Sequence, residues 1–201
     1  MTDLGRRAEH TPEQLRRMAL DAARNIVLKK GLSGLTTRGI AKEIGYTVGS
    51  LYQVFDNVDQ LIEQLNIETI DHVRSMCDQL DLDGDAANSL RKLSHLYIEF
   101  TRKNPQLWNA VIDHKLPTGY QRQEAYFDSV SKLVEVVEKA ISSFFKDDEL
   151  ASRNLDANLL WASLYGITAL ATAGRLARHE TTLTLIDRLI ETYIAAKTHH
   201  E

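Results

Sequence analysis

Thr47, Ser50, Tyr52 and Gln53 fall within one seven-residue stretch, and each ends in an uncharged group that hydrogen-bonds. A carboxamide such as that of Gln53 can pair in bidentate fashion with an adenine edge, worth roughly 1–3 kcal/mol of base discrimination. A phenol such as that of Tyr52 can reach a phosphate oxygen. Covalent chemistry has no comparable support. No nucleophile, base and orienting group stand at recognisable spacing, and no Gly-rich phosphate loop follows a strand. The seven histidines are scattered, and no His, Cys or carboxylate set has zinc spacing. The chemistry on offer is recognition, so neither metal nor cofactor is expected.

Two short helices joined by a Gly-containing turn would position these groups. Ile40, Ala41 and Ile44 recur at helical spacing after Thr36, a capping residue, and Gly45 supplies the positive φ that ends a helix sharply. Thr47 can cap a second helix, in which Leu51 and Phe55 share one face. At roughly 100° per residue, Gly49 and Gln53 point the opposite way, with Ser50 and Tyr52 on the flanks. This is the helix-turn-helix layout, whose second helix enters the major groove of DNA. Spacing alone also admits two surface helices joined by a tight turn.

The string goes further than spacing. Leu35-Thr36-Thr37-Arg38, Ile40-Ala41, Gly45, Gly49-Ser50-Leu51-Tyr52 and Phe55, followed by Asp59-Gln60-Leu61, resemble the DNA-binding motif of the TetR family of repressors. The resemblance is dense over the first quarter of the chain. It implies that Thr47, Val48, Gly49, Ser50, Tyr52 and Gln53 face the groove, with Val48 against a thymine methyl. Thr36, Thr37, Arg38 and Lys42 would meet phosphates. It further implies a homodimeric repressor on a palindromic operator in double-stranded DNA, switched by an unknown small-molecule effector. One departure stands out. Asp56-Asn57-Val58 occupies a segment where relatives often carry lysines, which should weaken non-specific affinity.

Whole-chain properties bound the rest. At 201 residues and 43% hydrophobic, the chain can bury one or two cores. A net charge of −4 does not suggest a nucleic-acid binder, but it is unevenly spread. Residues 1–55 hold nine lysines and arginines against five acids, and the remainder holds fifteen against twenty-three. Positive charge therefore accompanies the candidate reading head. A lone cysteine, Cys77, excludes an internal disulfide; on an amphipathic helix it reads as buried filler rather than a redox sensor. With no apolar N-terminal signal, the chain is expected to be cytoplasmic. Residues 157–174 lack charge, yet Asn158, Ser163, Tyr165, Thr168 and Thr172 argue for a buried helix over a membrane span.

Few glycines, three prolines and little period-two alternation predict an all-α chain of about nine helices. A three-helix DNA-binding domain is expected over 1–56, and a ligand-binding and dimerisation domain over 57–201. Residues 1–10, with Arg6 and Arg7, read as a mobile arm. Thr11-Pro12-Glu13-Gln14 opens a first helix that runs to Lys30, and Asn57 caps a long fourth one. Asp81-Leu82-Asp83-Gly84-Asp85 superficially suggests a calcium loop, but Gly84 is fourth rather than sixth, and Lys92 stands where a bidentate glutamate is needed. Tyr126, Val130, Leu133, Val137, Ala140 and Phe144 form the seam of a long seventh helix. Leu183, Ile186, Leu189, Ile190, Tyr193 and Ile194 form that of the ninth.

The eighth helix is apolar almost all round, and Ala162, Gly166, Ala169 and Ala173 make a row of small residues along it. Together with Leu189 and Tyr193 of the ninth, this surface could pair two subunits in a four-helix bundle; burial within a monomer is the alternative. Trp161 to Gly166 is similar to a Trp-x-x-x-His-Gly signature of some TetR-like C-terminal domains, with Tyr165 in place of histidine. The family resemblance also implies an effector pocket, for which His72, Met76, Trp108, Tyr126, Trp161 and Tyr165 are the candidates; each is equally well explained as core. Two other functions remain open: an all-α small-molecule binder or enzyme without DNA binding, and an adaptor that uses the motif for protein contacts.

Overall fold

The computed structural model describes residues 10–82, 85–176 and 181–198. The arm bearing Arg6 and Arg7, the Asp83-Gly84 part of the acidic turn and the His199-His200 pair lie outside them. Among the described residues there are nine α-helices and no strand, so the protein is all-α. Contacts divide the chain into two compact units that interleave in sequence. Residues 1–68 and 106–122 form the first, and 69–105 and 123–201 form the second. The sequence reading places its boundary at 56/57; the contacts group 57–68 and 106–122 with the N-terminal helices.

In the first unit, α1 (Pro12–Lys30) starts at a complete capping box. The Thr11 hydroxyl accepts from the Gln14 N–H, and the Gln14 side chain accepts from the Thr11 N–H. Its stripe of Leu15, Ala19, Ala22, Ala23, Ile26 and Val27 is buried. Small alanines let α2 (Thr37–Ile44) and α3 (Val48–Leu51) approach closely, and Ile40, Ala41, Leu51 and Phe55 complete the same core. Leu61 and Leu65 of α4 (Val58–Cys77) and Leu107 and Ala110 of α6 (Pro105–Asp113) join it.

Asn57 caps α4 as expected, its Oδ1 accepting from the Gln60 N–H at 2.8 Å. The reciprocal bond is displaced by one residue, because Gln60 Oε1 accepts from the Asp56 N–H at 2.7 Å. Gln60 Nε2 also donates to the Asp56 carboxylate. Asp56 is thus part of the helix start, where its charge suits the helix dipole.

The second unit packs the C-terminal turns of α4 from Thr69 with α5 (Ala86–Lys103), α7 (Glu124–Ala140), α8 (Leu150–Thr172) and α9 (Thr182–Thr198). Val73, Leu90, Leu93, Phe100, Leu133, Leu160, Ile186 and Ile190 fill its interior. Two expectations need correction. The seventh helix stops at Ala140, and Phe144 sits in a separate 3-10 turn, Ser142–Phe144; the Ser142 hydroxyl donates to the Lys139 carbonyl, a local bond that competes with helix continuation. Leu183 of the ninth-helix stripe is exposed, and Ile186 and Ile190 carry the burial.

Candidate functional site

The reading head is built from backbone geometry outward. Thr36 caps α2 by accepting from the Gly39 N–H at 3.0 Å. Gly45 closes that helix in the left-handed region, with φ 75° and ψ 23°, and its N–H bonds back to Ala41 and Lys42 carbonyls. Thr47 then caps α3: its Oγ1 accepts from the Ser50 N–H at 3.1 Å and contacts the Ser50 hydroxyl at 2.9 Å. The second helix is shorter than its Leu51–Phe55 spacing predicts. After Leu51 the ladder tightens to i→i−3 bonds, Gln53 N–H to Ser50 O and Val54 N–H to Leu51 O. Leu51 and Phe55 are nevertheless both buried, because Phe55 N–H still bonds Leu51 O at 3.0 Å.

This geometry leaves Thr47, Gly49, Tyr52 and Gln53 exposed, with Val48 and Ser50 half-buried. Gly49 has an ordinary φ, and a Cβ there would meet only the Thr47 hydroxyl at 3.6 Å. Among the described residues nothing within the chain requires glycine at 49. On α2, Thr36 is exposed and Thr37 half-buried, and the cations of Arg38 and Lys42 are exposed with no ion pair among the described residues. Free cations next to a polar, small-residue surface can neutralise phosphates while side chains reach base edges.

Three contacts that steady this surface escaped the sequence reading. Arg16 on α1 donates to the Val54 carbonyl at 2.7 Å, and its guanidinium lies 4.4 Å from the centre of the Phe55 ring. His10 Nδ1 and the Tyr46 hydroxyl are 2.7 Å apart, tying the start of α1 to the turn. Arg17 and Arg24 both pair with Glu68 of α4, at 2.9 and 2.6 Å. Their signal was the arginine-rich i, i+1 and i+8 spacing on α1, which reads as phosphate-seeking until the acid in α4 is found.

A second constellation in the same unit also went unread. Asp59, Glu63 and Asn66 lie at i, i+4 and i+7 on one face of α4. His114 Nε2 meets Asp59 Oδ1 at 2.9 Å, the Tyr120 hydroxyl donates to Glu63 Oε2 at 2.8 Å, and Asn66 Nδ2 donates to the Ala110 carbonyl at 3.2 Å. Arg122 approaches Glu63 Oε1 at 3.7 Å, and Glu63 has no solvent exposure. Polar contacts on three successive turns thereby hold α6 and the segment after it on α4.

The pocket candidates scatter. Trp161 lines two small apolar cavities of about 30 Å³ each, and Leu93, Val137 and Leu164 line both with it. Tyr165 is tilted against Trp161, and Tyr97 meets Trp161 edge-on while touching the Thr168 hydroxyl at 3.1 Å. His72 is exposed, set edge-on to Phe100, and Tyr126 is half-buried against Phe127. Met76 is half-buried on α4. Trp108 belongs to the first unit, where it is fully buried. Cys77, unremarked as a pocket residue, lines one cavity, and burial foremost pushes its thiol up to about 11. That keeps it protonated and slow to react.

On α8, Ala162 and Ala173 are exposed, and Gly166 and Ala169 half-buried. The row continues towards the helix start through Leu155 and Leu159, 70% and 60% exposed, an apolar stripe longer than the small residues alone suggested. Leu189 instead lines an internal cavity. Tyr193 donates to Asp156 Oδ2 at 3.0 Å, and burial followed by that carboxylate pushes its phenol pKa up strongly. No group of three His, Cys, Asp or Glu suited to a metal occurs among the described residues, and no helix there is long and apolar enough to cross a membrane.

Comparison with known proteins agrees with this geometry. Residues 19–65 match the family model for bacterial regulatory proteins of the tetR family, and residues 90–193 match that for the tetracyclin repressor-like C-terminal domain. Over 142 residues the chain is 28% identical to the nucleoid occlusion factor SlmA of Vibrio cholerae, covering 68% of this chain and 70% of that protein. A TetR transcriptional regulator from Rhodococcus sp. RHA1 shares the fold with a TM-score of 0.65 at 16% identity, over 90% of this chain and 97% of that one. RolR, solved in complex with the ligand resorcinol, gives 0.66 at 14% identity over 93% of each chain.

Proposed function

The chain belongs to the TetR family of bacterial regulators, and from that premise we propose that it is a homodimeric repressor that binds a palindromic operator and is switched by a small-molecule effector. One observation carries the reading. The Thr47-capped α3 and the turn after it leave Gly49, Tyr52 and Gln53 exposed, beside Arg38 and Lys42, and among the described residues no ion pair or side-chain hydrogen bond engages them. Gln53 reads a base edge, Tyr52 and the α2 cations take phosphates, and Gly49 lets the DNA backbone come close. The exposed Leu155–Leu159 stripe and the small row beyond it supply the dimer surface, which gives two reading heads related by a two-fold axis. An effector acts by binding the non-DNA-binding conformation more tightly; with equal affinity for both it shifts nothing. Since α4 contributes residues to both units, it is the element whose position such an effector biases.

Selection of bound fragments from a random duplex pool tests this. Recovery of an inverted repeat, lost with Gln53→Ala at one position of each half-site, is the expected result; a sequence without two-fold symmetry removes the dimeric reading. Sedimentation equilibrium should give twice 22.7 kDa, reduced to the monomer by Leu155→Asp with Leu159→Asp.

A second reading has its own support. Each small cavity around Trp161 has room for about one water, and the V. cholerae relative is named for nucleoid occlusion rather than for an effector. In that reading the protein acts at the nucleoid and answers to no small molecule. Many dispersed sites, with affinity insensitive to every added compound, would favour it.

A further inference from the structure

We infer that Arg16 is a positioning residue for sequence discrimination: from α1 it sets the aim of Gln53, and so governs how well this chain tells its operator from other DNA. The inference rests on the groove-facing reading above and assigns that surface its support. Gln53 lies beyond Leu51, the last residue of α3. It is carried by a tightened turn, in which Gln53 N–H bonds Ser50 O at 3.3 Å and Val54 N–H bonds Leu51 O at 3.1 Å. Bonds of this i→i−3 kind have poorer geometry than an α-helical ladder, and carbonyls at a helix end lack backbone donors ahead of them. The side chain with the strictest aiming requirement therefore stands on the least regular part of the reading head.

Arg16 meets this turn at its far end. Its Nη1 donates to the Val54 carbonyl at 2.7 Å, and its guanidinium lies 4.4 Å from the centre of the Phe55 ring. A planar fork can fix the carbonyl direction and hold the ring face at once, and a cation is well placed where a helix ends in carbonyls. Thr47 pins the front of the same turn through the Ser50 N–H, so Gln53 is bracketed between two fixed points. Among the described residues no carboxylate competes for Arg16, whereas the adjacent Arg17 pairs with Asp21 and Glu68. Arg16 is also half-buried while Arg38 and Lys42 are exposed, which suits a support rather than a phosphate contact.

The two kinds of DNA contact tolerate a loosened turn differently. Arg38 and Lys42 stand on α2, which has its own cap in Thr36 and its own stop in Gly45. A point charge attracts a phosphate over a range of angles. A carboxamide on a base edge must make two hydrogen bonds in one plane. Loss of Arg16 should thus fall on discrimination and spare the general attraction to DNA.

Fluorescence anisotropy of the full chain with two duplexes decides the matter. One carries the inverted repeat selected by the wild type, and the other is a scrambled sequence of equal length and composition. Arg16→Ala should bind the selected duplex about tenfold more weakly, a loss within the range of one bidentate base contact, and the scrambled duplex as tightly as before. The salt slope on the scrambled duplex should not change, whereas a lost phosphate contact would flatten it by about 0.9. In a Gln53→Ala background the same substitution should cost less than about twofold, because the side chain it aims is gone. Arg16→Lys keeps the charge and a donor but not the flat fork. Its affinity for the selected duplex should lie between the two, and it carries the comparison if Arg16→Ala does not fold. An equal loss on both duplexes, a flattened salt slope, or a tenfold loss that persists without Gln53 overturns the inference and leaves the groove reading standing. Failure of the wild type to favour any selected duplex overturns the groove reading, and this inference with it.

Discussion

Within each of the two units of this chain, a different kind of contact predominates. In the first, every helix start near the reading head has a side-chain cap, α1 and α4 are joined by Arg17, Arg24 and Glu68, and a buried polar face on α4 grips α6. In the second, the large interior side chains are apolar, with the small polar Thr69, Ser89, Ser94, Ser129 and Thr168 buried among them, and two small spaces lie around Trp161. Hydrogen bonds and ion pairs are directional and fix one arrangement, whereas apolar contact is not and permits several. On the proposed reading, a surface that matches a DNA groove calls for the first kind of fastening, and a compartment that admits an effector calls for the second.

The largest expected effect tests the stiff side. Glu63→Ala would remove the fully buried carboxylate that Arg122 and the Tyr120 hydroxyl meet. Removing one partner of a buried ionic contact should cost about 3 kcal/mol, the partial exposure of Arg122 placing it at the low end of such losses. Urea unfolding measures it. A loss no greater than that of a surface substitution would mean that α6 is not fastened through α4, and the contrast between the units would fail.

Cys77 tests the other side. Its thiol pKa is raised from the ordinary range near 9 to about 11, chiefly by burial. A group whose folded pKa is raised contributes stability that is complete below pH 9 and is lost as pH climbs towards 11, where the unfolded thiol ionises first. The loss should approach about 2 kcal/mol on comparing wild type with Cys77→Ala across that window. Alkylation by iodoacetamide at pH 8 should correspondingly run about 100-fold slower than for an exposed thiol. A fast reaction would show that the cavity wall opens often enough for water to reach the sulfur.

Legibility in the sequence follows the same division. Caps and stops are local, so Thr11, Thr36, Gly45, Thr47 and Asn57 could be assigned from neighbours within four residues. The starts of the first four helices followed from them. The Asp59–His114 and Glu63–Tyr120 contacts join residues 55 and 57 positions apart, and no periodicity points to them. Pocket residues were harder for a further reason. An aromatic at helical spacing has the same pattern whether it lines a cavity, as Trp161 does, or fills a core in the other unit, as Trp108 does. The α8 stripe was read from its small residues alone, although Leu155 and Leu159 continue it at steps of four and three.

A smaller effect is expected at Thr47. Thr47→Ala removes the acceptor for the Ser50 N–H and one contact of the Ser50 hydroxyl, and α3 has only four residues over which to spread the loss. The cost to stability should be about 1 kcal/mol. Hydrogen exchange should show it as lost protection confined to residues 50–55, with operator affinity falling alongside. Intact protection would mean that Leu51 and Phe55, through burial alone, suffice to hold the head.

Val137→Ile carries the smallest change and is the sharpest comparison, because it asks whether the second unit has slack. One added methylene in a tightly packed interior forces side chains off their preferred rotamers and costs about 1–3 kcal/mol. Val137 lines both small spaces, so the extra carbon has somewhere to go. Stability should stay level or rise by less than about 1 kcal/mol, the transfer value of one buried methylene. In the same variant, any apolar guest of this compartment should bind less well, since protein now occupies part of the space. A clear destabilisation would instead mean that the interior around Trp161 is as close-packed as the reading head, and that the softness assigned to the second unit is absent.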